Sequence, residues 1–276
     1  MHPMYKMVAP ALLASAMALP VAASANAVRI YMPAMHGSAQ HVMLPLGKLP
    51  PARRGGTSLT NHGGPVLKNP LVYVVYWGWT SDPNGEQAYL NSFLGGVGGS
   101  SWLGTVTQYS SITNPSSQLA GTWSDNTNPL PAHPTDAQVQ AEANAAAAHF
   151  GGANANAAYF VATPTGHSTS GFGTQWCAYH GYTGSVSYTD FPYMTDAGSS
   201  CGESIISSKL DGVSIVGGHE YAESITDPQL NAWWDSANGE EIGDLCAWTN
   251  IQVLTFSTGK FATQPLWSNA SSSCVQ

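Results

Sequence analysis

"NPLVYVVYWGW", Asn69 to Trp79, decides the fold class. From Leu71 to Trp77 every residue is β-branched, aromatic or leucine, with no polar interruption. A strand with one wet face alternates apolar and polar residues; an unbroken run of strand length is buried on both faces. Such a strand lies inside a sheet covered by helices on either side.

Helical signals follow in the required order. "DPNGEQAYLNSFLGGV" (82–97) reads as a turn and a helix, and "SSWLGTVTQYS" (100–110) as a second helix with a serine cap. Residues 111–134 are loop-rich. "PTDAQVQAEANAAAAHF" (134–150) has Thr135 or Asp136 as N-cap and strong helix formers behind it. "NAAYFVAT" (156–163) is the next buried strand, "TGHSTSGFGTQWCAYHGY" (165–182) reads mostly as loop, and "SVSYTDFPYM" (185–194) as strand. A helical run from Ser204 passes through Asp211, and "IQVLTF" with "GKFATQPLWS" closes the chain as a hairpin turning at "STGK". Alternating strands and helices followed by a hairpin predict one α/β domain over 61–276, a three-layer mixed sheet flanked by helices. No internal repeat is present.

The N-terminal part differs in composition. Lys6, the apolar run "MVAPALLASAMALPVA" and the small residues "ASANA" make residues 1–27 a secretory signal peptide, cut after Ala25 or Ala27. The apolar run is too short and too alanine-rich to span a membrane well. Residues 28–60, with "LPLGKLPPARRGG", read as an extended leader or propeptide whose "PARRGG" offers a processing site. The expectation is an exported, soluble protein.

After Lys68 only Lys209 and Lys260 are basic, whereas all 16 acidic residues lie between Asp82 and Asp244. Binding nucleic acid phosphates or an anionic membrane needs Lys and Arg in numbers, so both partners are excluded. Four cysteines in an exported chain favour disulfides. Three pairings are open; nearness favours Cys177–Cys201 and Cys246–Cys274. A four-cysteine zinc site is the alternative, although no CxxC is present.

The chemistry concentrates in "VGGHEYAESITDP" (216–228) and "GEEIGDLC" (239–246). His219 and Glu223 are four apart and share a helix face, Glu220 sits beside them, and Asp227 extends the row by one turn. HExxE differs by one residue from the HExxH helix of zinc peptidases, in which the histidines hold the metal and the glutamate activates its water. Glu240, Glu241 and Asp244 follow in the place of a further ligand, and Glu240–Asp244 has the ExxxD spacing of the second helix in thermolysin-type enzymes. So many carboxylates with so few basic partners call for a cation. Glu223 in place of a second histidine moves the preference toward harder ions. The competing readings are an amphipathic helix with a satisfied histidine and a metal-free carboxylate site.

His180, in "CAYHGY", completes the shell if its loop folds over the helix; otherwise it is a structural histidine near a disulfide. His62, His133, His149 and His167 read as surface residues. Trp233, Trp234 and Trp248 flank the acidic cluster and read as core, with a sugar platform as the alternative. No nucleophile elbow, phosphate loop or dinucleotide fingerprint occurs.

"GGHEYAESITDPQLNAWWD", "EIGDLC", "CAYHGY", "NPLVYVVYWG" and "QPLWSNA" resemble the secreted phosphate-induced, EXORDIUM-like family over most of the chain from about residue 60. The resemblance implies an exported, cell-wall or extracellular protein of one domain with paired cysteines. It also implies that Glu241, within the "EIxDLC" core, is the functional carboxylate rather than Glu240.

The leading expectation is a secreted metal-dependent hydrolase, a peptidase acting on an extracellular polypeptide or cell-wall substrate. His219, Glu223 and Glu241 bind the metal, Asp244 or His180 completes the shell, and Glu220 is the general base. Zinc is the expected ion and calcium the alternative. The rivals are a non-catalytic extracellular protein with a structural cation, and a glycoside hydrolase using two of Glu220, Glu223 and Glu241.

Overall fold

A computed structural model describes residues 40–48 and 58–276. The signal peptide and the "PARRGG" site lie outside the described residues. In chain order the elements are β1 (Gln40–Met43), β2 (Leu59–Asn61), β3 (Leu71–Trp77), α1 (Glu86–Val97), α2 (Ser101–Gly104), β4 (Leu119–Asp125), α3 (Asp136–His149), β5 (Ala157–Ala162), β6 (Ala178–Thr183), β7 (Val186–Phe191), α4 (Asp211–Thr226), β8 (Trp233–Asp235), β9 (Gln252–Phe256), β10 (Gly259–Thr263), β11 (Leu266–Ser268) and β12 (Ser273–Val275).

Six strands form the central sheet in the order β1-β6-β7-β5-β3-β4. β7, β5, β3 and β4 run parallel, while β6 and β1 add antiparallel at one side. β3 lies inside the sheet between β5 and β4, as its unbroken apolar run predicts. Each face carries its own core. On one side α3 packs through Val139, Ala143, Ala146 and Ala147 on Val75, Tyr159, Val161 and Tyr188. On the other, α4 and α1 cover the sheet with Phe93, Phe160, Phe191, Val216, Tyr221 and Ile225. This is the mixed α/β domain expected from the sequence, with helices on both faces.

Local chemistry explains most elements. Thr135 closes a reciprocal capping box with Gln138 at the start of α3. Ser100 caps α2 by accepting from the Leu103 N–H. Every residue of α4 is buried, so the helix sits inside the molecule rather than on it. It fits because Gly218 has no side chain: a Cβ there would lie 2.9 Å from the Trp102 ring and 3.1 Å from the Phe93 ring.

Four sequence expectations need correcting. Gln40–Met43, read as part of a leader outside the packed domain, is the edge strand of the main sheet. Leu44 O accepts from Trp248 Nε1 at 2.7 Å, so this segment is tied down beyond its strand. The loop-rich stretch 111–134 contains β4, and the stretch 165–182 runs into β6. Both strands are interrupted by a glycine, and the ladder contacts of their neighbours decide them. The helix expected from Ser204 begins at Asp211, whose Oδ2 gathers the N–H groups of Ile206, Ser207 and Ser208.

The disulfides are Cys177–Cys201 and Cys246–Cys274. No helix among the described residues is long and apolar enough to cross a membrane.

Candidate metal centre

Four chain segments converge beneath the antiparallel side of the sheet. α4 supplies His219, Glu220 and Glu223; β6 supplies His180; β1 supplies His41; and the loop before Cys246 supplies Glu241 and Asp244. Cross-strand pairing sets His41 opposite His180, with ring centroids 5.7 Å apart. Each disulfide anchors one contributor: Cys177 stands three residues before His180, and Cys246 two residues after Asp244.

His219 Nε2 lies 3.1 Å from Glu223 Oε1 and 3.6 Å from Asp244 Oδ1. His41 Nε2 hydrogen-bonds to Asp244 Oδ2, and its Nδ1 lies 3.3 Å from Glu241 Oε1. His180 Nδ1 is 3.2 Å from Glu220 Oε2, and its Nε2 is 3.6 Å from Glu241 Oε2. Every ion pair in the cluster therefore joins a histidine to a carboxylate. Lys48, Lys68, Lys209 and Lys260 are all exposed.

Burial is close to complete. His180, His219, Glu220 and Glu223 have no exposure, and only His41 at 19% and Asp244 at 16% touch solvent appreciably. Yet His180 Nε2, His219 Nε2, Glu220 Oε1, Glu223 Oε2 and Glu241 Oε2 make no hydrogen bond. An unmet buried polar atom costs roughly 1–3 kcal/mol, more when charged. His219 Nε2 and Glu223 Oε1 are in contact but out of line for a hydrogen bond, as two donors facing one ion would be.

Surrounding groups hold this geometry. Gln264 donates to the Gly243 carbonyl at 2.8 Å, and its amide lies 3.1 Å from His219 Nδ1, which fixes the ring. The Gly243 and Asp244 N–H groups each donate to Glu223 Oε1 at 3.2 Å. Gly243 is the close approach that makes this possible: a Cβ there would stand 2.6 Å from His219 Nδ1.

Electrostatics follow from burial and crowding. Burial opposes charge on His41 and His219, but Asp244 beside His41 and Glu223 beside His219 outweigh it, raising the pKa values to about 10 and about 9. His180 is lowered to about 4, chiefly by burial. Burial lifts Glu220 to about 7 and Glu241 well above the carboxylate range, whereas the His41 charge overcomes burial at Asp244 and holds it low. Without a cation, protons on His41 and His219 supply the positive charge that the carboxylates demand.

Two donor sets satisfy metal-ligand spacing: His41, Glu223 and Asp244, and His180, Glu223 and Glu241. In each set one donor atom per residue lies within 4.8 Å of the others. The sequence-derived residues His180, His219, Glu220, Glu223, Glu241 and Asp244 are thus brought together. Glu240 is only half-buried and belongs to neither set. The ExxxD helix is absent, since residues 239–243 are non-helical and Asp244–Cys246 form a single 3-10 turn. Asp227 caps the end of α4, accepting from the Asn231 and Ala232 N–H groups. His41 is hidden in the sequence because proline, glycine and basic residues dominate its segment; the apolar "HVML" is the signal there for a strand.

The tryptophans are committed elsewhere. Trp233 packs edge-on against Tyr109 and donates to Ser110, Trp248 donates to Leu44, and Trp234 stacks on His62 at 3.3 Å.

No protein-family model and no solved structure matches the chain. Among curated proteins it is similar to "Protein EXORDIUM-like 5" of Arabidopsis thaliana, 28% identical over 232 residues, which are 68% of this chain. The match spans 63% of the relative's length. This likeness supports the EXORDIUM-like resemblance and brings no zinc-peptidase relative with it.

Proposed function

We propose that this chain is an extracellular EXORDIUM-like protein without catalytic activity of its own, whose buried cluster holds a structural divalent cation. The ligands are His219, Glu223 and Asp244, with His41 from the N-terminal strand. Zinc is the first candidate, because imidazole and carboxylate donors together suit it, and calcium the second, since calcium favours shells made only of oxygen. Secretion and association with a cell wall or an extracellular polypeptide belong to the same reading.

The observation that carries it is burial without satisfaction. A catalytic ion keeps an open position for substrate, whereas a structural one is closed in by protein. Here four of the site residues have no exposure, and five donor atoms of the cluster, the fifth on the almost fully buried Glu241, lack a hydrogen bond. The cation would bind together β1, β6, α4 and the loop before Cys246, adding its binding free energy to that of folding.

The test is metal content by plasma mass spectrometry on protein purified without chelator, beside His219→Ala and a thermal melt with and without chelator. Bound transition metal lost in the variant, with a lower melting temperature after chelation, fits the proposal. Absence of metal from the wild-type protein removes it.

A second reading is a metal-dependent hydrolase with Glu220 as base, favoured by the unpartnered Glu220 Oε1 beside the ligand histidine. It requires peptide turnover that Glu220→Ala abolishes while the metal stays bound. A protein that keeps metal but turns over no peptide excludes it.

A further inference from the structure

The two donor sets share Glu223, and its two oxygens face different histidines. Oε1 faces His219, which lies outside both sets, at 3.1 Å, and Oε2 lies 3.6 Å from His180 Nδ1. Glu241 is divided in the same way, with Oε1 3.3 Å from His41 and Oε2 3.6 Å from His180. Carboxylates that turn one oxygen to each of two ligand groups are the chemical form of a bridge between two ions.

We infer that the cluster is a dinuclear centre, with a second divalent transition-metal ion bound by His180 and Glu241 and bridged to the first through Glu223. This rests on the cation reading above and adds a second ion to it. Three fully or almost fully buried atoms without hydrogen bonds point to the second position: His180 Nε2, Glu223 Oε2 and Glu241 Oε2. His180 is also oriented for it. Its Nδ1 meets Glu220 Oε2 at 3.2 Å, which turns Nε2 toward Glu241. A carboxylate behind a ligand histidine is the usual means of fixing that ring and raising its basicity. In this arrangement Glu220 is a positioning residue.

Charge counting agrees. Glu220, Glu223, Glu241 and Asp244 are the carboxylates in contact with the three histidines. With one divalent ion, protons on the histidines or carboxylates must make up the remaining charge, since no described lysine reaches it; two ions balance it with neutral imidazoles and ionised carboxylates. Unpaired charge at such depth is strongly unfavourable.

The experiment uses the mature, chelator-stripped protein titrated with cobalt(II), followed by electron paramagnetic resonance, with metal content determined after dialysis. The expected result is two equivalents. The high-spin signal grows with the first and is attenuated by the second, because ions bridged by a carboxylate couple magnetically. Glu241→Gln, nearly isosteric, should retain one equivalent and show an uncoupled signal. One equivalent in the wild-type protein overturns the second ion and leaves the first standing. Two equivalents with a signal proportional to cobalt overturn the bridge. No bound metal overturns this inference together with the reading on which it rests. The wild-type titration decides the question even if Glu241→Gln fails to fold.

Discussion

Replacing Gly243 by alanine separates the site's packing from ordinary backbone effects. Gly243 has φ −83° and ψ −40°, a conformation any residue adopts. On backbone grounds alone Gly243→Ala should stabilise the protein by about 0.4–1 kcal/mol, because alanine has fewer unfolded conformations to lose. The new methyl carbon, however, would lie 2.6 Å from His219 Nδ1, 2.8 Å from its Cγ and 2.9 Å from Glu223 Oε1. Carbon contacts are optimal at about 3.5–4.0 Å. Neither neighbour retreats easily, since both are fully buried and Gln264 and the loop amides hold them. Overpacking of this kind costs about 1–3 kcal/mol. The net expectation is a loss of about 1–2 kcal/mol without metal, which for a domain of this size lowers the melting temperature by about 2–8 °C. Displacing two ligands weakens the cation as well, by about tenfold for each 1.4 kcal/mol. Thermal melts of wild type and variant, each with and without chelator, measure both effects. The variant should melt lower in both conditions and show a smaller chelator shift. A variant as stable as wild type, with an unchanged chelator shift, refutes the packing argument and the assignment of His219 and Glu223 together.

Other perturbations test separate parts of the molecule. His41→Ala should reduce metal affinity and shrink the chelator-dependent melting shift; if neither changes in a calorimetric titration, β1 contributes no ligand. Glu142, buried beside Asp125 and accepting from Asn128, has its pKa pushed up to about 7, first by burial and then by the Asp125 charge. A raised carboxyl pKa means that its contribution to stability is full below the unfolded value of 4.5 and is lost as the pH rises through about 7. The stability difference between wild type and Glu142→Gln, measured by urea unfolding across that window, should therefore fall with pH, and a flat difference rules the coupling out. Removing the Cys177–Cys201 bridge with paired serines opens a loop of sequence separation 24 and should lower stability by about 3 kcal/mol. Equal denaturant midpoints for the two forms would show that sheet pairing alone holds β6.

Features carried by contiguous residues were legible in the sequence. The run from Leu71 to Trp77 specified an interior strand because seven successive side chains without a polar break have no wet face. Thr135 and Gln138 specified the start of α3 through hydrogen bonds three residues apart. The spacing of His219 and Glu223 placed them on one face of a helix, and nearness picked out both disulfides. Where the signal was weak, neighbours decided. "LAGTWSD" and "AYHGYT" are strands because β3 in one case and β1 with β7 in the other offer them ladders.

The sequence by itself determined the fold class and the helix that carries His219, Glu220 and Glu223, through local hydrogen-bonding and burial patterns, and left the disulfide pairing to nearness. Only the tertiary structure decided that His41 lies opposite His180, that Asp244 rather than Glu240 reaches His219, and that the whole cluster is buried. Those facts depend on register between strands far apart in the chain and on a loop closing over α4. No pattern within a short window encodes a distance between residues 41 and 244.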